Sequence, residues 1–307
     1  MILTVTLNPC IDKSSTVGLI KPESKLRCTE VVREAGGGGI NVSKALQKLG
    51  VPSMALFPAG GHNGNMLCSL LKKSDINFRG VDTHVETREN WIVMESSSNH
   101  QYRFTFPGQP VEESVIKTLI DEIRSFSPSY VVASGSLPLG LPDYFYGLII
   151  KTAHAVGAKC IVDTSGPALE AIKDKKAFLI KPNMGEMSRL LKIENLQKNE
   201  ADDAAQQLIQ NGYAEIVVVS MGAEGAWLIS SNEKHWVTAP PVEKKSTVGA
   251  GDSMVAGITF ALRRGLPLKE VLQWGVACGS AATMNAGTQL FNKEDAFHLF
   301  NLIHQKA

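Results

Sequence analysis

From residue 112 onward, short apolar runs alternate with longer segments in which apolar residues recur every three or four positions. The short runs predict buried strands, and the periodic segments predict helices. Buried strands that alternate with helices are typical of a parallel sheet with helices on both faces. The predicted strands are 130–133, 159–162, 178–180 and 215–219, with a β-rich patch at 225–238. The predicted helices are 112–126, 142–156, 184–192, 200–211, 250–263, 268–284 and 293–304.

The first part of the chain mixes this pattern with a second one. A strand at 2–7, a helix that follows the Gly36–Gly39 run, a strand at 54–57 and a helix near 64–73 continue the α/β alternation. The segments between them, 10–35 and 86–106, are half polar, which predicts strands with one face in water, and in the first segment these are 15–17 and 30–33.

We call the segments 10–35 and 86–106 the two excursions. The second one contains a predicted hairpin, because strands at 90–94 and 101–106 flank the turn-rich residues 96–99. If the two excursions pair, they form a small sheet that can act as a lid, and a second subunit is one way to cover its edges. We therefore predict one α/β domain over residues 1–307 with a small β-sheet lid.

Composition excludes several classes of protein. The chain has 307 residues, of which 44% are hydrophobic, so it can bury a large core. A net charge of +1 argues against a nucleic-acid partner, and no apolar run is long enough to span a membrane. The N-terminus predicts a strand rather than a signal peptide. Five scattered cysteines without a Cys-x-x-Cys pair suit a reducing cytoplasm, where we expect the protein.

A glycine-rich loop runs directly into a predicted helix at Thr247–Ser253. Its small residues Gly249, Ala250 and Gly251 let an anion approach the free N–H groups at the start of the helix. The carboxylate of Asp252 stands at this position. It is either a helix cap or a base that takes a proton from a hydroxyl as that hydroxyl attacks a phosphoryl group.

The Gly36–Gly39 run also opens a helix. It is a poor dinucleotide fingerprint because Asn41 stands where the third glycine would be, and the chain has no Gly-Lys pair for a P-loop. We favour close approach of the backbone to a hydroxylated ligand, to which Asn41 would offer its amide.

Two further loops follow predicted strands, Lys181–Glu186 and Ser220–Gly225. Strand-end loops of an open α/β sheet are where ligands bind. Asn183 and Glu186 also have the spacing of a helix cap, which is the favoured explanation for either residue alone. Three such loops at one sheet edge make a ligand site the better explanation for the set.

Four basic residues in the two excursions could converge on a phosphate if the excursions form one lid. Each one alone is best explained as part of a solvated strand face. They are Lys25, Arg27, Arg88 and Arg103.

Four motifs, taken together and in this order, resemble those of the PfkB/ribokinase carbohydrate kinases. They are Asn8-x-x-x-Asp12, Gly36-Gly37-Gly38-Gly39-Ile40-Asn41-Val42, Lys181-Pro182-Asn183-x-x-Glu186 and Thr247-Val248-Gly249-Ala250-Gly251-Asp252-Ser253. The resemblance extends over essentially the whole chain. Segments 25–28, 57–61, 101–104 and 134–138 are similar to the branch that phosphorylates sugar phosphates.

The resemblance implies a ribokinase-like three-layer α/β/α fold, ATP with Mg²⁺, and a β-sheet lid that joins two subunits in a homodimer. It also implies phosphorylation of fructose 6-phosphate at the 1-hydroxyl. Kinases of tagatose 6-phosphate or fructose 1-phosphate are the alternatives, but they commonly have Lys where this chain has Gly38. An alternative of another class is a catalytically silent sugar- or nucleotide-binding regulator.

The resemblance also implies roles for individual residues. Asp252 would be the catalytic base, and Gly249, Ala250 and Gly251 would form the anion hole. Substrate-binding positions would be Asp12, Gly37, Gly38, Asn41 and Ser136 for the sugar, with Lys25, Arg27, Arg88 and Arg103 for its phosphate.

The nucleotide would be held by Lys181, Asn183, Ser220, Gly222, Gly225, Val276 and Ser280, and Glu186 would hold Mg²⁺ through water. Some members of the family also bind a monovalent cation such as K⁺. The matching positions are Ser246, Val248, Ala282, Asn285, Gly287 and Gln289, of which Gln289 departs from the basic or small residue common there.

Overall fold

The computed structural model describes residues 1–285 and 289–305. The strands are β1 Ile2–Val5, β2 Cys10–Val17, β3 Val32–Gly36, β4 Ser53–Ala59, β5 Phe78–Asp82, β6 Arg88–Glu95, β7 His100–Thr105, β8 Tyr130–Ser134, β9 Lys159–Asp163, β10 Ala177–Ile180, β11 Ala214–Ser220, β12 Gly225–Ser230 and β13 Lys234–Thr238. The α-helices are α1 Gly38–Lys48, α2 Gly61–Lys73, α3 Glu113–Phe126, α4 Phe145–Ala155, α5 Pro167–Glu170, α6 Met184–Leu191, α7 Ala201–Gln210, α8 Ala250–Arg263, α9 Leu268–Thr283 and α10 Lys293–Gln305.

The larger sheet has the spatial order β13-β12-β11-β10-β9-β8-β1-β4-β5. Neighbouring strands from β5 to β11 are parallel, and β12 and β13 add an antiparallel edge. Side chains alternate between the two faces of each strand, so each strand serves two cores. Leu3 of β1 packs in one core with Ile149 of α4, whereas its neighbour Ile2 packs in the other with Ile258 of α8.

Helices therefore cover both faces of this sheet. One core includes residues of α3, α4, α6 and α7, and the other includes residues of α1, α8, α9 and α10. This arrangement confirms the predicted α/β class and its three layers. Within the described ranges 1–285 and 289–305, no helix combines the length and apolar character needed to cross a membrane.

The smaller sheet has the order β3-β2-β6-β7 and consists of residues from both excursions. The strands β2 and β6 are its parallel centre, in a register that places Cys10 opposite Arg88 and Asp12 opposite Asn90. Because strand side chains alternate, these four residues share one face of the sheet. Trp91 and Phe104, a cross-strand pair on the other face, are exposed.

Two local predictions were wrong. A strand was expected at 30–33, but β3 runs from Val32 to Gly36, because Ala35 and Gly36 pair with the start of β2. The strand β5 was missed because Arg79 and Gly80 interrupt its apolar pattern, which an edge strand with exposed residues can tolerate.

Candidate active site

The backbone immediately before α8 has a conformation and a close neighbour that require glycine. Gly249 precedes the helix with φ of 72°, in the left-handed region that other residues rarely adopt. A Cβ atom at this position would also lie 2.5 Å from Cδ2 of Leu290. The loop therefore turns sharply into α8 and places Asp252 in its first turn.

The carboxylate of Asp252 is held by two other elements. Asn41 of α1 donates its side-chain amide to Oδ2 at 2.9 Å, and Ser134, at the end of β8, donates its hydroxyl to Oδ1 at 3.4 Å. The oxygen Oδ1 of Asn41 is buried and has no hydrogen-bond partner in the described part of the chain. The amide is thus bonded on its nitrogen side only, and its oxygen is available to a donor from a ligand.

The environment of Asp252 favours its neutral form more than water does. Desolvation by burial is the largest cause, the nearby charge of Asp163 is the second, and together they raise the pKa of Asp252 to about 6. Asn41, Lys181 and Ser134 act in the opposite direction. A carboxylate with such a pKa can exchange a proton near neutral pH.

A buried ion pair lies beside this carboxylate. The Nζ atom of Lys181 is 3.1 Å from Oδ1 of Asp163, at the end of β9, and the side chain of Lys181 is only 8% exposed. Burial alone would lower the pKa of Lys181, but the charge and hydrogen bond of Asp163 outweigh it, so the pKa lies above its ordinary value. The ammonium lies close to the start of α8, because a Cβ atom on Gly251 would be 3.6 Å from Nζ.

Asn183 and Glu186 form the helix cap that their spacing allowed. The side chain of Asn183 accepts a hydrogen bond from the backbone N–H of Glu186 at 2.9 Å, and Oε2 of Glu186 accepts one from the N–H of Asn183 at 2.9 Å. The second oxygen, Oε1, takes no hydrogen bond from a described residue. Capping therefore uses only one of the two carboxylate oxygens of Glu186.

Close packing explains the Gly36–Gly39 run without a ligand. A Cβ atom on Gly36 would lie 2.2 Å from Oδ2 of Asp12, and one on Gly38 would lie 2.3 Å from Oγ of Ser134. The other two positions are equally tight. The glycines thus allow close contact between segments of the chain, whereas the sequence analysis explains them by close contact with a ligand. Contact between a sugar and the N–H groups of Gly37 and Gly38 stays a prediction.

The structure brings Arg88 and Asp12 to one region at the base of the smaller sheet. Arg88 donates to the carbonyl oxygen of Asn8 at 3.2 Å and to Oδ1 of Asn90 at 2.8 Å. Asn90 in turn donates to Oδ1 of Asp12 at 2.9 Å. Ser136 is also near this region, since its hydroxyl oxygen accepts a hydrogen bond from the side chain of Asn8 at 3.1 Å.

The other three basic residues do not join this group. Lys25 and Arg27 are exposed on the segment between β2 and β3, and neither forms a hydrogen bond or ion pair with a described residue. Arg103 of β7 instead reaches Oγ1 of Thr247, at 3.5 Å, in the loop before α8. Convergence of all four on one phosphate stays a prediction.

A cavity of about 500 Å³ opens beside the start of α8. It is lined by the predicted nucleotide-binding residues Ser220, Gly222, Gly225, Val276 and Ser280, together with Ala250 and Gly251 of the predicted anion hole. The lining is completed by residues to which the sequence analysis gives no individual role; they are Ala223, Ala239, Pro240, Pro241, Val242, Lys244, Thr247, Met254, Gly279 and Thr283. Its apolar walls suit a flat heterocycle, and its mouth at the helix start suits phosphates.

The predicted cation positions can be described only in part. Ser246 is buried, and its hydroxyl accepts a hydrogen bond from the N–H of Val248 at 3.2 Å. Ala282 is buried, Asn285 donates to the carbonyl of Ala281 at 3.2 Å, and Gln289 is exposed. Gly287 lies outside the described residues.

The residues that the sequence analysis missed are Asp163, Ser134 and Asn90. Asp163 and Ser134 directly follow the predicted strands 159–162 and 130–133, and the rule that ligand sites lie at strand ends would have found both. Asn90 gave no signal, because a polar residue in a half-exposed strand is ordinary.

Comparison with known proteins assigns the family. The sequence profile of the pfkB family of carbohydrate kinases matches residues 5–295. This chain belongs to that family. It is 41% identical, over 301 residues covering 97% of both chains, to the ATP-dependent 6-phosphofructokinase isozyme 2 of Escherichia coli K12.

Solved structures of phosphofructokinase-2 from E. coli have the same fold. A complex with potassium superposes with a TM-score of 0.95 at 40% identity, and a complex with fructose-6-phosphate with a TM-score of 0.94 at 39% identity. A tetrameric inhibited form gives 0.93 at 39% identity. In each case the match covers 99% of both chains.

Proposed function

We propose that this protein is an ATP-dependent 6-phosphofructokinase, which transfers the γ-phosphoryl group of ATP to the 1-hydroxyl of fructose 6-phosphate. The observation that carries the proposal is the position of Asp252. This residue directly follows Ala250 and Gly251, which line the cavity beside α8, and its carboxylate is hydrogen-bonded to Asn41 and Ser134. The identity to a 6-phosphofructokinase over nearly the whole chain supports the same substrates.

Asp252 is the base in this proposal. With a pKa of about 6 it is mostly ionised at neutral pH and is a stronger base than an ordinary carboxylate. It accepts the proton of the 1-hydroxyl as that oxygen attacks the phosphoryl group. Asn41 and Ser134 each bond one of its two oxygens and so hold the orientation of the carboxylate that receives the hydroxyl.

The start of α8 and Lys181 hold the phosphates. Backbone N–H groups after Gly249 have no partner within the helix and point toward an anion at that position. The buried ammonium of Lys181 adds a positive charge beside Gly251. These groups are fixed before substrate arrives, so they stabilise the negative charge of the transfer without reorganisation.

The residues fit a magnesium ion that arrives with the nucleotide. No group of three or more His, Cys, Asp or Glu side chains able to hold a metal occurs in the described ranges. One available oxygen on Glu186 is nevertheless enough for Mg²⁺, which usually keeps several waters and substrate phosphates as ligands. When bound, the ion would neutralise phosphate charge, and Glu186 would hold it through water.

Arg88 and Asp12 bind the sugar phosphate in this proposal. All hydrogen-bond partners of Arg88 in the structure are neutral oxygens, so its charge is not cancelled by an ion pair with a described residue. Such a guanidinium suits a phosphate. Asp12, with Asn41, Ser136 and the backbone of Gly37 and Gly38, would hold sugar hydroxyls, and Lys25, Arg27 and Arg103 would reach the phosphate as the smaller sheet closes.

The exposed face of the smaller sheet fits self-association. Trp91, Phe104 and Phe106 are 47%, 48% and 43% exposed, and they lie close together, with the rings of Trp91 and Phe106 in an edge contact. A cluster of exposed aromatic residues of this kind marks a protein interface. We infer a homodimer through this sheet, with the smaller sheet as a lid over each site.

A monovalent cation, K⁺, would bind beside the anion hole. The potassium complex of the E. coli protein supports this part of the proposal. Ser246, Val248, Ala282, Asn285, Gly287 and Gln289 are the positions that would hold it.

A substrate panel tests the proposed function. ATP-dependent acid release is measured with fructose 6-phosphate, tagatose 6-phosphate, fructose 1-phosphate and fructose. We expect fructose 6-phosphate to have the highest kcat/KM. Preference for another sugar phosphate would support one of the alternative kinases, and no turnover with any of them would support a silent regulator.

A further inference from the structure

A single amide joins the proposed phosphate contact to the proposed sugar contact. Asn90 of β6 accepts a hydrogen bond from Nη1 of Arg88 at 2.8 Å through its oxygen Oδ1. Through its nitrogen Nδ2 it donates to Oδ1 of Asp12 at 2.9 Å and to Sγ of Cys10 at 3.2 Å. The amide oxygen and the NH₂ group are therefore both engaged at the base of the smaller sheet.

The neighbours of Asn90 fix the direction of this amide. A guanidinium can only donate hydrogen bonds, so it must face the amide oxygen. An ionised carboxylate can only accept them, so it must face the NH₂ group. The reversed amide would place donor against donor and acceptor against acceptor, and the side chain has one stable orientation.

Cys10 completes the cluster. Burial, and then the charge of Asp12, raise the pKa of the Cys10 thiol well above its ordinary value, so the thiol keeps its proton. It donates that proton to Oδ1 of Asp12, with Sγ and Oδ1 3.2 Å apart. Two donors thus meet one oxygen of Asp12 and leave Oδ2 on the side of Gly36, where there is no room for a Cβ atom.

We propose that Asn90 is a positioning residue that couples Arg88 to Asp12. It fixes the distance between the cation for the substrate phosphate and the carboxylate for a substrate hydroxyl, so the two contacts form as a unit. The inference rests on the proposed function, because it takes Arg88 and Asp12 as substrate contacts. Asn90 itself need not touch the substrate.

Register supports this coupling. Asp12 lies in the first excursion, and Arg88 and Asn90 lie in the second; the parallel pairing of β2 and β6 places Asp12 directly opposite Asn90. Strand pairing brings the backbones together, but among the described residues only the amide of Asn90 joins the two charged side chains. An apolar residue at this position would keep the sheet and lose the coupling.

Kinetics of Asn90→Leu test the proposal. The substitution keeps the size of the side chain and removes both hydrogen-bonding functions. We expect KM for fructose 6-phosphate to rise by about tenfold or more, which is the loss of roughly 1.4 kcal/mol of binding, while KM for ATP changes by less than about twofold. A merely structural role would lower the melting temperature without this split between the two KM values.

Two further variants make the comparison sharper. Asn90→Asp keeps an acceptor for Arg88 but places a carboxylate against Asp12, and we expect it to raise KM for the sugar phosphate at least as much as Asn90→Leu. Asn90→Asp also replaces Asn90→Leu in this test if Asn90→Leu does not fold. The matched control is Thr105→Val, since Thr105 pairs with Asn90 across β6 and β7, is exposed, and has no side-chain hydrogen bond with a described residue. It should behave as the wild type.

A double-mutant cycle separates coupling from independent effects. If Asn90 acts through Arg88, then Asn90→Leu in an Arg88→Ala background should raise KM by only about threefold or less. An equal loss in both backgrounds overturns the proposal, as does a folded Asn90→Leu variant with unchanged KM.

The outcomes distinguish the inference from the proposed function. A KM raised by Arg88→Ala and by Asp12→Ala but not by Asn90→Leu overturns the coupling alone. If the wild type prefers another sugar phosphate, the substrate assignment is wrong, and the same cycle is measured with the substrate that it uses.

Discussion

Lys181 and Asp163 form a buried ion pair, with Nζ and Oδ1 3.1 Å apart, next to the carboxylate of Asp252. The pair has two opposing effects on that carboxylate. Asp163 raises the pKa of Asp252, and Lys181 lowers it. The pair thus supplies a cation for the phosphates while its two effects on the pKa of Asp252 oppose each other, and burial remains the largest cause that raises this pKa to about 6.

The first prediction concerns the chemistry of Asp252. Asp252→Asn keeps the shape of the side chain but removes the base, so we expect kcat to fall by roughly 10²–10⁴-fold. Binding of both substrates, measured by calorimetry, should change little. Near-normal turnover of the folded variant would show that Asp252 is not the base.

In the wild type, kcat/KM should fall as the pH drops below about 6, because protonated Asp252 cannot accept the hydroxyl proton. A pH–rate profile with its acidic limb near the ordinary aspartate value would contradict the raised pKa.

The second prediction is that the same substitution stabilises the fold. The pKa of Asp252 is raised from 3.8 to about 6 in the folded state, so its contribution to stability is complete below pH 3.8 and is lost as the pH rises through about 6. Asp252→Asn does not titrate. At pH 8 we therefore expect it to have a larger free energy of unfolding than the wild type, by about 3 kcal/mol, since each pKa unit corresponds to about 1.4 kcal/mol. At pH 4 the difference should be much smaller.

Urea unfolding at the two pH values measures this difference. A difference in the free energy of unfolding between variant and wild type that does not depend on pH would mean that the carboxylate of Asp252 is solvated in the folded state. The stability that the wild type loses when buried Asp252 ionises fits the general rule that a catalytic group is kept at the expense of stability.

A third prediction follows from the Lys181–Asp163 pair. Asp163→Asn removes the charge that raises the pKa of Asp252, so the acidic limb of kcat/KM should move to lower pH. The variant also leaves a buried ammonium without its carboxylate, which should reduce the free energy of unfolding by about 3 kcal/mol.

The matched control is Asp121→Asn, because Asp121 forms an exposed ion pair with Arg124 and should contribute little. If the acidic limb stays in place in Asp163→Asn while stability falls, Asp163 has a structural role only.

The sequence predicted those parts of the site that lie in one local segment. Gly249 and Asp252 are found together because a loop that enters a helix needs glycine and exposes N–H groups, and both are local properties. Asp163 lies at a strand end, where the position alone suggests a ligand site, but its pairing with Lys181 could not be predicted because Lys181 follows another strand and neither residue signals the other. The same holds for Asn90, whose role depends on the register of β2 against β6.

The glycine run illustrates a different limit. Sequence reasoning recognised that Gly36–Gly39 needs close approach of backbone, but it could not say what approaches. In the structure the close neighbours are the side chains of Asp12 and Ser134. The pairing of β2 with β3 identifies Asp12, and the packing of α1 against the end of β8 identifies Ser134.

The fourth prediction concerns assembly. We expect a dimer at micromolar concentration in sedimentation equilibrium, and Phe104→Glu should raise its dissociation constant by at least about a hundredfold, since each of two copies would bury an unpaired charge. The control is Tyr144→Glu, because Tyr144 is 63% exposed outside the smaller sheet. A wild-type monomer, or a dimer that survives Phe104→Glu, would exclude this surface as the interface.

The last prediction tests Arg88 as the contact of the substrate phosphate. Within residues 1–285 and 289–305, its guanidinium makes hydrogen bonds only to neutral oxygens of Asn8, Asn90 and Phe106, so its charge is available to an anion. A charged hydrogen bond contributes about 1.5–3 kcal/mol, so Arg88→Ala should raise KM for fructose 6-phosphate by roughly ten- to a hundredfold. KM for ATP should change much less, because the cavity beside α8 is built from other segments. Some loss of kcat is expected, since binding energy at the phosphate helps to orient the 1-hydroxyl.

Unphosphorylated fructose should be a poor substrate of the wild type and nearly insensitive to Arg88→Ala. The control is Arg124→Ala, an exposed arginine of α3. If Arg88→Ala weakens fructose and fructose 6-phosphate alike, Arg88 supports the structure of the base of the smaller sheet and does not bind the phosphate.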